Sequence, residues 1–403
     1  MELHPNDRSG ERGTALIFAL MFTMIVVGIV LTGTLTIRSQ ITQNRTSFIA
    51  NYQAVMAARS GLTEALSWLR RQTSQPVTAL EPQLITAADP QILDTEDPDI
   101  GLVRDFNISG NLWARYEVWK RWDADPDSER LAWRQQVQCE DISAARMDGT
   151  AGQAWRVNSV GYVYLQLDPA VAFNEEPNRV LATEMASTDV LRAVINLPGQ
   201  AAVNINDGNS AHINTNGRIR GNGFGGIYYP QGSGTPTTGP KSQSRVTGSP
   251  GLSAGTTYDD SYESVFGLTL DELKSLADVV VSSSSDFPVP VPENSIIVVD
   301  IGSTMTFSSS LPLQGNAIVI VDGNCTLNNG NNSLFNGMLY VDGNLTVRAP
   351  CELNGSVLST GNLSVQGSGD FATINYDEAA LSTLMDVLGT YRRASSLSLP
   401  RRN

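Results

Sequence analysis

The run TALIFALMFTMIVVGIVLTGTLTI, from Thr14 to Ile37, holds 24 residues and no charged side chain. A bilayer core of about 30 Å is crossed by about 20 helical residues, so this run is long enough to span a membrane. The alternative is a cleaved secretory signal, but the apolar core of such a signal is only about 7–15 residues long. The sequence therefore predicts a transmembrane helix. Arginines flank both of its ends, so charge leaves the orientation open.

The helical pattern continues beyond the apolar run. No proline interrupts residues 14–72, which as one helix would extend for about 88 Å at about 1.5 Å per residue. Apolar side chains at helical spacing predict a stripe that packs on a folded body. The stripe consists of Ile41, Phe48, Tyr52, Val55, Leu62, Leu66 and Leu69. Within the membrane, we expect Gly28 and Gly33 to let neighbouring helices approach closely.

Two motifs on this helix resemble the PilX family of pilus-assembly proteins. Glu11-Arg12-Gly13 before the apolar run is similar to a prepilin-type leader, and QAVMAARSGL at 53–62 is similar to the family's alanine-rich stretch. The resemblance covers about residues 11–68. It implies that a prepilin peptidase cleaves after Gly13, which leaves Thr14 as the first mature residue. It also implies an anchor in the lipid of a bacterial inner membrane, with the body in the periplasm.

The same resemblance implies a role in a filament. Its members join other pilins or pseudopilins in a type IV pilus-like or type II secretion-like assembly. Phe18 stands where major pilins usually carry a glutamate. This departure implies a minor subunit and not the bulk subunit of a filament.

Composition narrows the class of protein. The net charge of -14 argues against a nucleic-acid partner, because phosphate binding requires clustered basic residues. The histidines are His4 and His212 only, and the three cysteines lack metal-ligand spacing, so we expect neither a metal nor a cofactor. A bridge between Cys325 and Cys351 stays open, whereas Cys139 has no evident partner.

Residues 73–197 are predicted to be a pilin-like β region in which an antiparallel sheet packs on the long helix. A connecting loop is expected at 73–101. Runs rich in aromatic and β-branched residues predict strands at 113–122, 154–167 and 179–197. We expect Trp113, Trp119 and Trp122 to pack in a core. The acids in 123–127 lack the downstream Gly and Glu of an EF-hand, which favours a solvated turn.

The C-terminal half contains a repeat. Val321-Asp322-Gly323-Asn324 recurs as Val341-Asp342-Gly343-Asn344 after 20 residues, and Thr360-Gly361-Asn362 is a shorter copy. Short β runs broken by Gly and Asn at this period predict a parallel β-solenoid of stacked coils. This part resembles bactofilin-like β-helix domains. We place it at 198–389, with earlier coils at 202–209 and 212–222, and with an insertion at 224–295.

The repeated residues invite two interpretations. Asp322, Gly323, Asn324, Asp342, Gly343 and Asn344 suit tight turns, because Gly and Asn accept a positive φ. A calcium site is the alternative, but we expect no third carboxylate to join the two aspartates.

Strand alternation predicts which side chains of the repeats are buried. It places five of them in the interior: Val319, Val321, Leu339, Val341 and Leu345. It leaves Ile318 and Ile320 on the opposite face without evident cover. A helix at 377–388 is expected to cap the open edge, and the tail 390–403 is expected to be disordered.

The predicted fold class is thus mainly β with one long N-terminal α-helix, namely a pilin-like helix and sheet followed by a parallel β-solenoid. The favoured function is that of a minor pilin or pilus-assembly component. The alternative is a membrane-anchored β-helix that binds a surface polysaccharide or another cell. An enzyme is not expected, because segment 296–376 carries a single basic residue, Arg348, for a catalytic groove.

Overall fold

The computed structural model describes residues 9–122, 128–145, 150–239 and 245–394. In these ranges, one long N-terminal helix is followed by an antiparallel sheet and two parallel sheets. The predicted turn at 123–127 and His4 lie outside the described residues. The helices are α1 (Ser9–Arg71), α2 (Ser128–Val137), α3 (Tyr262–Phe266), α4 (Leu270–Leu276) and α5 (Glu378–Leu388).

The strands fall into two groups along the chain. The first group is β1 (Leu84–Ile85), β2 (Ile92–Leu93), β3 (Gly101–Ser109), β4 (Leu112–Trp119), β5 (Glu140–Asp141), β6 (Ala154–Leu165) and β7 (Arg179–Leu191). The second group is β8 (Ala201–Ile205), β9 (Ala211–Ile213), β10 (Gly217–Arg220), β11 (Gly225–Pro230), β12 (Thr237–Thr238), β13 (Val246–Thr247), β14 (Leu252–Gly255), β15 (Val279–Val281), β16 (Ser295–Val299), β17 (Met305–Phe307), β18 (Gln314–Asp322), β19 (Cys325–Leu327), β20 (Ser333–Asp342), β21 (Leu345–Arg348), β22 (Cys351–Ser359), β23 (Leu363–Gln366), β24 (Ala372–Tyr376) and β25 (Arg392–Arg393).

The antiparallel sheet has the order β25-β7-β6-β4-β3, and β5 pairs with β6. The strands predicted at 113–122, 154–167 and 179–197 correspond to β4, β6 and β7. The outermost strand β25 comes from the predicted disordered tail, since Arg392 pairs with Leu191 and Arg393 pairs with Val190. That expectation was therefore wrong for 390–394, while the remainder of the tail lies outside the described residues.

Residues 201–376, which we call the parallel part, supply the strands of two parallel sheets. The larger sheet follows the path β13-β10-β24-β22-β20-β18-β16-β15, with β8, β11 and β14 attached, and the smaller sheet follows β12-β9-β23-β21-β19-β17. Asp322 pairs with Asp342, so the strand register equals the sequence period. The expected insertion at 224–295 was wrong in part, because β11, β13 and β14 lie there and belong to the larger sheet.

The spatial order of the strands differs from their order in the chain. The predicted early coils do not precede the repeats in space. Instead, Val203 of β8 pairs with Val357 of β22, and Ile213 of β9 pairs with Val365 of β23. The first strands of the parallel part therefore stack beyond the last repeat.

Both faces of the repeat strands are buried. The five side chains expected in the interior are buried, but Ile318 and Ile320 are buried as well. The ring of Tyr340, one strand away, contacts Tyr262 and Phe266 of α3 at centroid distances of 4.9 and 5.3 Å. The helix α5 packs across β18, β20 and β22. It thus covers the face of central strands and does not cap an open edge as expected.

Candidate functional site

The N-terminal part of α1 is an exposed apolar rod. Its segment Phe18–Thr36 has a mean hydropathy of 2.3, and no part of this segment is buried against the described chain. By length and composition the segment is able to cross a membrane. The backbone of Gly13 and Thr14 lies inside α1, which begins at Ser9, so the predicted cleavage position falls within the helix.

The polar groups of this rod are satisfied internally. The hydroxyls of Thr23, Thr32 and Thr34 each donate to the carbonyl four residues earlier, all at 2.7 Å. Such bonds remove the cost of placing a hydroxyl in hydrocarbon. A Cβ placed on Gly28 or Gly33 would meet nothing within 4 Å, so both glycines lie on open helix surface.

The C-terminal part of α1 packs on the antiparallel sheet through small residues. The buried side chains are Ala50, Ala54, Ala57, Ala58, Leu62, Ala65, Trp68 and Leu69. On the sheet side, a Cβ at Gly161 would lie 2.1 Å from the carbonyl oxygen of Ala54. On the helix side, a Cβ at Gly61 would lie 2.2 Å from Oγ of Ser159. Glycine on both surfaces therefore lets helix and strand backbones approach closely.

The predicted apolar stripe was wrong at Phe48 and Tyr52, and the side chain of Ile41 lies outside the described residues. Phe48 and Tyr52 are 74% and 61% exposed, whereas Leu62 and Leu69 are buried as expected. Ile49 and Met56 are exposed beside them. Exposed apolar side chains thus also occur on α1 beyond Phe18–Thr36, and the alanines of QAVMAARSGL face the sheet.

Tyr391 holds the C-terminal end of α1 in place through hydrogen bonds. Its side chain is completely buried, and its hydroxyl donates to the carbonyl of Gly152 at 2.6 Å. The same hydroxyl accepts from the amide of Val77 at 2.7 Å, while Arg70 Nε donates to the Tyr391 carbonyl at 2.7 Å. Burial raises the pKa of the Tyr391 phenol, which keeps it neutral. Sequence reasoning missed this residue, because nothing local marks it as core.

The other face of the sheet carries a buried charged group. The carboxylate of Glu117 accepts from Arg115 Nε at 2.6 Å and from Trp119 Nε1 at 3.1 Å. Arg115 also donates to Asp105 at 2.6 Å. Burial raises the pKa of Glu117, and the Arg115 guanidinium opposes that shift. Trp119 is buried as expected, while Trp113 and Trp122 are half-buried.

The predicted turn residues form a ladder of hydrogen bonds between successive repeats. The side-chain oxygen of Asn324 accepts from the amide of Asn344 at 2.9 Å, and that of Asn344 accepts from the amide of Asn362 at 2.8 Å. Gly323 and Gly343 have φ values of 122° and 153°. These contacts add to the turn interpretation, because each asparagine side chain also joins its repeat to the next one.

A third acid, Asp300, lies near the repeated aspartates, and a lysine side chain lies close to both Asp300 and Asp322. Asp300 follows Val299, which pairs with Val321, so Asp300 stands in register with Asp322. Lys274 Nζ lies 2.7 Å from Asp300 and 3.7 Å from Asp322. Among the described residues, no group of three or more His, Cys, Asp or Glu side chains is arranged to hold a metal ion.

The three cysteines are buried and free. Cys325 lies in the smaller parallel sheet and Cys351 in the larger one, so the bridge that the sequence left open is not formed. Burial raises the pKa of each thiol to about 12, which keeps the sulfur protonated and unreactive.

The comparisons with known proteins give no relative. No family model matches the chain, and no curated protein or solved structure is significantly similar to it.

Proposed function

We propose that this chain is a non-catalytic, pilin-like subunit that is held in the inner membrane by α1 before it enters a filament. One observation carries the proposal: α1 is a single helix of 63 residues, exposed and apolar at one end and packed on an antiparallel sheet at the other. The exposed end has two uses in such a subunit. It lies in lipid before assembly, and it packs against other subunits afterwards.

The motifs at Glu11-Arg12-Gly13 and 53–62 support the same proposal, and Phe18 favours a minor subunit. We further infer that the parallel part is a short β-solenoid, supported by the 20-residue register between β18 and β20. In this arrangement the sheet is carried directly on α1, and the parallel part is presented in the periplasm or on a filament.

The decisive experiment is to determine the mature N-terminus in a host that contains a prepilin peptidase. We expect mass spectrometry to find Thr14 as the first residue. Replacing Gly13 with a bulky residue should leave the full-length precursor, whereas Gly28→Ala should be processed normally. Mature wild-type protein that begins at Met1, or well after Ser39, would overturn the proposal.

A second function is a surface binding module. The observation that favours it is the size of the parallel part, which extends far beyond the sheet that α1 needs for packing. Its partner would be a surface polysaccharide or another cell. Filament co-purification supports the first function, and binding by membrane-anchored protein that never enters filaments supports the second.

A further inference from the structure

Three arginines converge at one end of the parallel part. Arg218 and Arg220 flank the fully buried Ile219 on β10, so strand alternation turns both side chains away from the core. Ile219 pairs with Val246 of β13, which sets Arg245 beside Arg218 on the neighbouring strand. Neighbouring strands lie about 4.8 Å apart, so the guanidinium groups share one small surface.

Two of these arginines are held in place by Phe371. The guanidinium carbon of Arg218 lies 3.1 Å from the centre of the Phe371 ring, and that of Arg245 lies 4.9 Å from it. Arg245 also donates to the carbonyl of Thr215 and to Asn216 Oδ1, the latter at 3.1 Å. Pre-positioned donors lose little side-chain freedom when a ligand binds.

The cluster is not neutralised within the described chain. Arg115, Arg156 and Arg392 each form an ion pair with a carboxylate. In contrast, none of the three clustered arginines forms an ion pair with a described acid, and Asp370 is the acid whose charge acts on Arg218. Like charges side by side on adjacent strands are destabilising, and an anion would relieve that repulsion. This cluster of three positive charges occurs in a chain whose net charge is -14.

We propose that Arg218, Arg220 and Arg245, with Phe371 beside them, bind a polysaccharide that contains uronic acids. A guanidinium pairs with a carboxylate through two parallel hydrogen bonds, and the Phe371 ring holds two of the three guanidinium groups in position for such pairing. The carboxylates of uronic acids are sparsely spaced along a polysaccharide. They therefore suit three guanidinium groups that lie about one strand spacing apart. Duplex DNA, with one charge per about 1.7 Å, suits a much larger basic surface. This site is independent of the filament role.

The test uses the full chain in nanodiscs of zwitterionic lipid, titrated with polygalacturonate. Arg220→Gln should weaken binding about tenfold, because one hydrogen bond to a charged group is lost. Arg218→Gln combined with Arg220→Gln should abolish binding, and added salt should weaken it. Arg179→Gln is the matched control, because it removes an equal charge from an exposed site on β7 and should leave binding unchanged.

Four outcomes would overturn the proposal. They are an absence of polygalacturonate binding, equal binding of neutral dextran, stronger binding of duplex DNA or inorganic phosphate, and equal weakening by Arg179→Gln. Arg220 is exposed, so its variant should melt like the wild type. The Arg220→Gln variant therefore tests the proposal even if the double variant is unstable.

Discussion

Arg70 Nε donates a hydrogen bond of 2.7 Å to the main-chain carbonyl of Tyr391, across a sequence separation of 321 residues. The donor lies in the last turn of α1, and the acceptor immediately precedes β25. The next residue, Arg392, donates hydrogen bonds to the Leu276 carbonyl and to Asp278. Both acceptors lie just before β15, the terminal strand of the larger parallel sheet. The C-terminal segment thus ties the helix, the antiparallel sheet and the parallel sheets together.

Tyr391→Phe should lower the free energy of unfolding by about 1–3 kcal/mol, because the Val77 amide and the Gly152 carbonyl lose a buried partner. Chemical denaturation in detergent micelles measures the change. Tyr52→Phe removes the same hydroxyl from a side chain that is 61% exposed and should have little effect. Equal stability of the two variants would contradict the role assigned to Tyr391.

Gly161→Ala should destabilise the protein by about 1–3 kcal/mol, because the new methyl group overlaps the Ala54 carbonyl and forces α1 away from β6. The melting temperature measures the loss. Gly28→Ala adds a methyl group at a position with nothing within 4 Å and should leave the body's melting unchanged. A Gly161→Ala protein as stable as the control would show that α1 does not need this close approach.

Leu345→Asp should unfold the parallel part, because it buries a charge in a fully enclosed position, at a cost above about 4 kcal/mol. Leu334→Asp makes the same change in β20, the preceding strand along the chain, at a side chain that is 53% exposed, and it should fold. Circular dichroism and limited proteolysis distinguish them. If both variants fold, the interior assignment of Leu345 is wrong.

Asp260 should make stability depend on pH. Burial, aided by the charges of Asp259 and Asp342, raises its pKa from 3.8 to about 6. The folded state therefore binds this proton more tightly than the unfolded state. The free energy of unfolding should fall as pH rises through that interval. Asp260→Asn should remove this component of the slope, whereas Asp286→Asn, at an exposed site, should retain it.

Gly33→Leu should impair incorporation into filaments without reducing membrane insertion, because bulk on the open helix surface blocks close packing of neighbours. Val30→Leu adds bulk on the same segment without removing a glycine, and it should assemble normally. Membrane fractionation and filament preparations measure the two steps. Normal incorporation of Gly33→Leu would count against packing through this glycine.

The sequence predicted features whose signals are local. The uncharged run, the strand-like β4, β6 and β7, and the 20-residue repeat all appear where periodicity places them. The buried face of α1 was misjudged in part: Leu62 and Leu69 are buried as expected, but Phe48 and Tyr52 are exposed and alanines fill much of the contact. The face that carries Ile318 and Ile320 is covered by α5 on β18, and α3 packs on Tyr340 in the neighbouring strand; no local pattern predicts these contacts.

Pairings between distant segments could not be predicted. The partners Val203 and Val357 carry no shared motif, and neither do Arg70 and Tyr391. The arginine site also depends on a pairing between distant segments of the chain. Arg218 and Phe371 are far apart in the chain, and only the stacking of β10 beside β24 brings them together.

The reversed stacking order has a consequence for biogenesis. Strand β8 emerges early, but its side chain Asn204 bonds to Ser356, 152 residues later in the chain. Synthesis from the N-terminus therefore produces β8 and β9 long before β22 and β23. Until then, these strands present unpaired backbone on one side. The parallel part can be completed only when nearly the whole polypeptide has been synthesised, so a chaperone that shields this early segment would reduce its aggregation.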